Sequence, residues 1–270
     1  MRTNIRQRVW QRGAILSACA LLLAAGFIPT ASAAEKSPSD AKAILKAAAD
    51  FMSSQKSLEL TFDSDIEVIT PQLQKIQFTS SGTTLLVRPN KFRAHRVGGY
   101  ADVELIFDGK TASVFGRNIN SYTQFELQGT LDQMIEAMRA GHGVAMPAGD
   151  LLLTRAYDVL IADVKEAKHI GRGVVEGVEC EHLAFRNADT DWQIWVEVGA
   201  KPMPRKVVIT SKTIAAAPQY TIRIKTWKTD VKPASDAFTF VPPAGAQKLP
   251  PDALIDLDEL PQGQPLGVSK

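Results

Sequence analysis

From residue 174 to residue 210 the chain alternates apolar and polar side chains with a period of two, in three β-rich runs: 178–186, 192–198 and 205–210. Asn187-Ala188-Asp189-Thr190-Asp191 separates the first two, and Gly199-Ala200-Lys201-Pro202 the last two. Links this short join antiparallel neighbours, because a parallel crossover needs a dozen or more residues. The alternation puts Trp192, Ile194, Val196 and Val198 on one face, and Gln193, Trp195 and Glu197 on the other. The same period governs the earlier half. Leu58, Leu60, Phe62, Ile66 and Val68 alternate with polar residues up to Pro71, and runs at about 75–87 and 91–97 follow, joined by Arg88-Pro89-Asn90. Val103, Leu105 and Phe107 lead into Asp108-Gly109, with Thr111, Ser113 and Phe115 beyond, which is a hairpin signal. A short run holding Tyr122 ends near Leu127, strands resume near Lys165, a long one covers 220–227, and Phe238-Thr239-Phe240 is placed last.

Three stretches switch to helical spacing. Ser37-Pro38-Ser39-Asp40 reads as a helix start, and Ile44, Leu45, Ala48, Phe51 and Met52 then form one apolar stripe. Thr130 caps a second helix with Gln133 three residues on; Leu131, Met134, Ile135 and Met138 are its stripe, and Gly141 stops it. After Pro147, Asp150 is placed as the cap of a third, with Leu152, Leu153, Ala156, Tyr157 and Leu160 on its apolar face.

The order helix, strands, two helices, strands predicts an α+β protein with a single large antiparallel sheet. Several strands carry apolar residues on both faces, as where Trp195 opposes Trp192. A sheet with one solvated face would alternate more cleanly. The expectation is a curled sheet, an unclosed β-barrel, wrapped around a few helices. No domain linker or internal repeat interrupts it.

The N-terminus changes the picture of charge and address. Arg2, Arg6, Arg8 and Arg12 precede an apolar run from Ala14 to Ile28, then Pro29 and Ala31-Ser32-Ala33. Basic region, short apolar region and small-residue site predict a secretory signal peptide over residues 1–33, cleaved after Ala33, and a periplasmic protein. Leu16-Ser17-Ala18-Cys19 has the look of a lipoprotein cleavage box, but cleavage there would leave Leu21-Leu22-Leu23 on the mature N-terminus. The chain has 31 Lys+Arg against 29 Asp+Glu; losing the four arginines leaves 27 against 29, so no basic surface for nucleic acid is implied. Cys19 also leaves, Cys180 stands alone, and no internal disulfide can form. The fold domain is placed at 34–249, with an extended or disordered Pro/Gly-rich and acidic tail at 250–270.

Candidate chemistry is sparse. There is no G-x-S-x-G elbow and no H-E-x-x-H, and His95, His142, His169 and His182 are scattered. Cys180 and His182 share a strand face, which two packed strand residues explain as well as a site does. Gly171-Arg172-Gly173 lacks the third glycine and the helix of a dinucleotide fingerprint. Asp189 and Asp191 fit a solvated hairpin loop better than calcium. The expectation is no catalytic residue, no metal and no cofactor. What remains is apolar: Leu131, Met134, Ile135 and Met138, with Leu152 and Trp192, are the candidate ligand contacts, and methionines suit adaptable apolar surfaces. An ordinary packed core is the competing reading of that stripe.

Four segments then carry a resemblance: Val87-Arg88-Pro89-Asn90-Lys91-Phe92-Arg93, Phe107-Asp108-Gly109-Lys110-Thr111, Cys180-Glu181-His182-Leu183-Ala184-Phe185-Arg186 and Asp191-Trp192-Gln193-Ile194-Trp195-Val196. Together they resemble the periplasmic family catalogued as domain of unknown function 2092, itself similar to the outer-membrane lipoprotein carrier fold. The resemblance implies an unclosed antiparallel barrel around a hydrophobic cavity, and no catalytic role for its motif residues. Two functions follow as expectations. One is a carrier or receptor for lipid or lipoprotein acyl chains; the other is a non-enzymatic module that binds an envelope protein or senses stress.

Overall fold

The computed structural model describes residues 38–141 and 146–250. The expected signal peptide, the Ser37 cap, His142 and all but the first residue of the expected tail lie outside the described residues. No described helix is long and apolar enough to cross a membrane.

Among the described residues, twelve strands form one sheet. The first six run as a meander: β1 (Ser57–Ile69), β2 (Lys75–Val87), β3 (Lys91–Gly98), β4 (Asp102–Phe107), β5 (Thr111–Gly116) and β6 (Ser121–Glu126). A second meander follows: β7 (Glu166–Val175), β8 (Val178–Arg186), β9 (Thr190–Glu197), β10 (Pro204–Ser211) and β11 (Gln219–Thr229). The two meet where β1 pairs antiparallel with β11, setting Leu58 against Thr229 and Ile66 against Tyr220. A two-residue β12 (Gln247–Lys248) adds parallel to β6. The sheet order is β12-β6-β5-β4-β3-β2-β1-β11-β10-β9-β8-β7, so β12 and β7 are edges that do not meet, and the barrel stays unclosed.

The hairpin at Asp108-Gly109 forms for the reason its residues suggest. Gly109 takes φ +89°, and the Asp108 carboxylate accepts from the Lys110 and Thr111 amides at 2.8 and 2.7 Å. The central ladder is the longest, since every residue of β1 pairs with one of β2.

Helices pack on the inner face. α1 (Pro38–Ser54) buries Ala41, Leu45 and Ala48 among Leu183, Phe185, Trp192 and Ile194 of the second meander. One turn on, Met52 joins the core under the first meander, and Phe51 meets Trp227 edge-on at 5.8 Å. α1 thus contributes to both cores, and each Leu-sized side chain buried there contributes about 1.5–3 kcal/mol. α2 (Leu131–Gly141) starts as predicted: the Thr130 amide donates to Gln133 Oε1 at 2.8 Å, and the Gln133 amide to Thr130 Oγ1 at 3.4 Å.

Two expectations need correction. The third helix is broken into a 3₁₀ turn (Gly149–Leu152) and a short α3 (Ala156–Ile161). Asp150 does not cap it, because its carboxylate pairs with Arg139 at 2.8 Å, and Leu153 is extended at φ −67°, ψ 151°. Nor is Phe238-Thr239-Phe240 a strand. Turn hydrogen bonds hold the segment (Ala237 N to Ala234 O, Thr239 N to Asp236 O), and Phe240 packs against Phe115 and Tyr122 at 5.8 and 5.2 Å. Arg93, on β3, donates to the Ala237 carbonyl at 3.0 Å. The Phe-Thr-Phe pattern records packing onto the sheet's outer face rather than a place in the ladder. It also explains part of the apolar content of that face.

Candidate functional site

A cavity of about 180 Å³ lies inside the sheet. β4 and β10 stand five places apart in the sheet order, about 24 Å in a flat sheet at ~4.8 Å per strand. Yet Val103 and Leu105 of β4 and Val207 of β10 line the same space. The sheet is therefore curled around it.

The walls follow from strand alternation. On β3, Phe92, Ala94 and Arg96 face inward, while Arg93 and His95 face outward to pair with Glu104 and Asp102 at 2.6 Å each. β1 supplies Leu60 and Phe62, and β11 supplies Tyr220, Ile222 and Ile224. Between Leu60 and Phe62 the register of β1 with β11 slips by one residue, at Thr61/Phe62. Lys225 of β11 is the extra residue of that bulge, which lets Ile224 and Trp227, three positions apart, both pack against the core. Phe62 lies over Gly82, its partner on β2. A Cβ on Gly82 would sit 2.4 Å from the Phe62 ring and 2.7 Å from the His95 carbonyl oxygen, so only glycine fits.

The roof is the stretch from Met146 to Leu152, ahead of α3. Met146, Pro147, Ala148, Gly149, Leu151 and Leu152 look down into the cavity. Ala148 is left-handed at φ 61° and Gly149 is buried, its Cβ position 3.2 Å from Met146 Cβ, so the backbone comes close here. Polar contacts at the rim hold the roof. Arg88 donates to the Leu152 carbonyl at 2.7 Å and to the Gln55 carbonyl at 3.2 Å, tying the roof to the β2 end and the segment after α1. Burial lowers the Arg88 pKa from its ordinary value, and Asp132 opposes that shift. Asp132 of α2 accepts from the Thr154 amide and hydroxyl at 3.1 Å.

Of the residues expected to touch ligand, Leu152 lines this cavity. Leu131, Met134, Ile135 and Met138 are 0–1% exposed and do not line it, belonging to the core cluster that also holds Leu86 and Phe107. Trp192 belongs to the other core: its ring stacks on Phe185 at 4.1 Å and its indole N–H donates to Asn187 Oδ1 at 3.2 Å. Phe62, Gly82, Arg96 and Tyr220 were not anticipated. A glycine in mid-strand and an arginine on the same face as Phe92 and Ala94 were the available signals.

A second, wider groove of about 510 Å³ opens between the β1–β2 turn and the β10–β11 turn. Its apolar residues are mixed with Glu67, Thr190, Ser211, Thr213 and Gln219, so it is a less apolar place. On the outer face, Cys180 is fully buried, its Sγ donating to the Val178 carbonyl at 3.4 Å, and burial raises its thiol pKa. His182 Nε2 engages Gln193 Oε1 at 2.9 Å and the ring stacks on Trp195 at 4.1 Å. Burial holds its pKa below the ordinary value, with the Gln193 bond opposing. Gly171 and Gly173 lie within β7, and Asp191 pairs with Arg186 at 3.2 Å. Among the described residues no three His, Cys, Asp or Glu side chains gather as metal ligands.

No curated protein matches the chain in sequence. Among solved structures, an uncharacterized conserved protein from Thermus thermophilus is 10% identical with a TM-score of 0.46, covering 78% of this chain and 98% of that one. The Pseudomonas aeruginosa MucA/MucB complex gives 15% identity, a TM-score of 0.43, and coverage of 75% of this chain and 61% of that one. LprF from Mycobacterium bovis gives 11% identity and a TM-score of 0.41, with 73% and 97% covered. The family model described as predicted periplasmic protein (DUF2092) matches residues 41–250, from α1 through every strand of the sheet, so the chain belongs to that periplasmic family.

Proposed function

We propose that the protein is a periplasmic binding protein that holds an acyl chain, or another apolar chain, in the cavity of its curled sheet. The observation that carries this reading is the lining itself. Met52, Leu60, Phe62, Phe92, Leu105 and Ile224 surround the space under a roof of Met146 to Leu152, and among the described residues no acidic side chain lines it. An apolar ligand gains about 0.8 kcal/mol per CH₂ removed from water. About ten such groups approach the free energy of micromolar binding before association costs are subtracted.

The chain reaches the periplasm, in this reading, by cleavage of residues 1–33 after Ala33; residues 34–249 form the binding domain and 250–270 a tail. The competing reading is an envelope module whose partner is a protein and whose cavity stays empty.

Native mass spectrometry of the exported protein separates the two. A lipid-sized adduct on a chain starting at Ala34 is expected. Ala94→Trp places an indole in the cavity, and the variant should fold, by circular dichroism, without the adduct. A wild-type protein with an apo mass that also fails to take up added lipid would overturn the proposal.

A further inference from the structure

Resting on that reading, we propose that the cavity is built for an anionic amphiphile, a single chain with a carboxylate or phosphate head, and that Arg96 is the head-group residue. The cavity is not uniformly apolar. Among the described residues Arg96 is the one charged side chain that lines it, and the hydroxyl-bearing Tyr220 and Thr84 line it too.

The placement is that of a mouth rather than a floor. Along β3 the inward residues grade from Phe92, which is 1% exposed, to Ala94 and Arg96, which are half-buried, and the strand ends at Gly98 beside the exposed Tyr100. Four residues of strand span about 13 Å. A chain lying along β3 with its head at Arg96 would run its tail toward Phe92, whose cross-strand neighbours Leu86 and Phe107 are themselves fully buried. The cross-strand neighbours of Arg96 are Gly82 and Val103, neither of which competes for a head group. The nearby acids face away. Glu104 pairs with Arg93 and Arg117, and Asp102 with His95, across the outer face. Among the described residues that line the cavity, an anion therefore meets a cation and no acidic side chain. Arg96 and Tyr220 each engage a partner within the protein already. A guanidinium has five N–H donors in a planar fork, so an incoming oxyanion can add to or replace that contact.

The test compares heads on one tail. The delipidated, exported protein is titrated with dodecanoate, dodecyl phosphate and dodecanol, each displacing a neutral fluorescent reporter. Dodecanoate is expected to bind about tenfold more tightly than dodecanol, a charge-assisted contact being worth about 1.4 kcal/mol. Arg96→Gln should abolish that preference, so that dodecanoate and dodecanol bind alike, and Arg96→Lys should retain most of it. Dodecyl phosphate binding well above dodecanoate would mark a phosphate head as the natural one; the reverse marks a carboxylate. Equal affinity of wild type for dodecanoate and dodecanol overturns the charge assignment but leaves the cavity reading standing, and needs no variant to be seen. A preference that survives in Arg96→Gln also overturns it. A protein that takes up none of the three overturns both proposals together.

Discussion

Two neighbouring patches under the same sheet have nearly the same composition and opposite fates. The α2 stripe of Leu131, Met134, Ile135 and Met138 is sealed in the core cluster that holds Leu86 and Phe107. A few residues on, Met146, Leu151 and Leu152 stand over a cavity. The difference is backbone regularity. α2 presents four side chains at i, i+3, i+4 and i+7, one row that sinks into the sheet's inner face as a unit. The roof has a left-handed Ala148, a 3₁₀ turn and an extended Leu153, so its side chains leave at uneven angles. Its smallest members, Ala148 and Gly149, put little volume into the space below them. Hydrophobicity brings both patches to the sheet, but only a continuous helix fills what it covers.

That contrast can be broken most sharply from its closed side. Met134→Glu buries a carboxylate at a fully sealed position, and it is expected to lower stability by several kcal/mol. Urea denaturation measures it. A variant within about 1 kcal/mol of wild type would mean that water reaches α2 and that the two patches are alike.

An intermediate effect is expected on the open side. Gly82→Ala sets a methyl 2.4 Å from the Phe62 ring and 2.7 Å from a backbone oxygen. The ring can swing into the cavity, whereas the oxygen cannot move freely. The expected cost is about 1–3 kcal/mol, together with weaker binding of the neutral reporter. Loss of stability with full reporter binding would show that Phe62 does not border the ligand.

The smallest effect lies on the outer face and is a control for both patches. His182 has its pKa lowered by burial beneath Trp195 and Gln193, so the unfolded chain binds its proton at higher pH than the folded one. The neutral ring's contribution to stability is fully present above the ordinary value of 6.5 and declines as pH falls through it toward the lower folded value. His182→Asn should flatten that part of the stability–pH curve relative to wild type. His95 and His169, paired with Asp102 and Glu181, are common to both proteins and cancel in the comparison.

The fold was legible largely because it is local. β2 and β8 begin and end where period-two alternation does, the Asp108-Gly109 turn declares itself, and Thr130 with Gln133 marks the start of α2. Even the grouping of Phe92, Ala94 and Arg96 on one face of β3 could be read from alternation alone. What alternation cannot say is which face is the inner one. That depends on β1 meeting β11, a contact between residues such as Leu58 and Thr229 that no local period records. The same pairing curls the sheet and brings Val103 and Val207 to one space, and so makes a cavity of residues that read as ordinary strand. The break at Leu153 was equally hidden, because Asp150 looked like a cap until Arg139 arrived from α2 to take its carboxylate. By itself the sequence determined most of the elements, the address of the family and the apolar character of the interior. Only the tertiary structure decided which apolar residues are sealed and which face space, since packing depends on how two distant surfaces meet, and local patterning specifies one surface at a time.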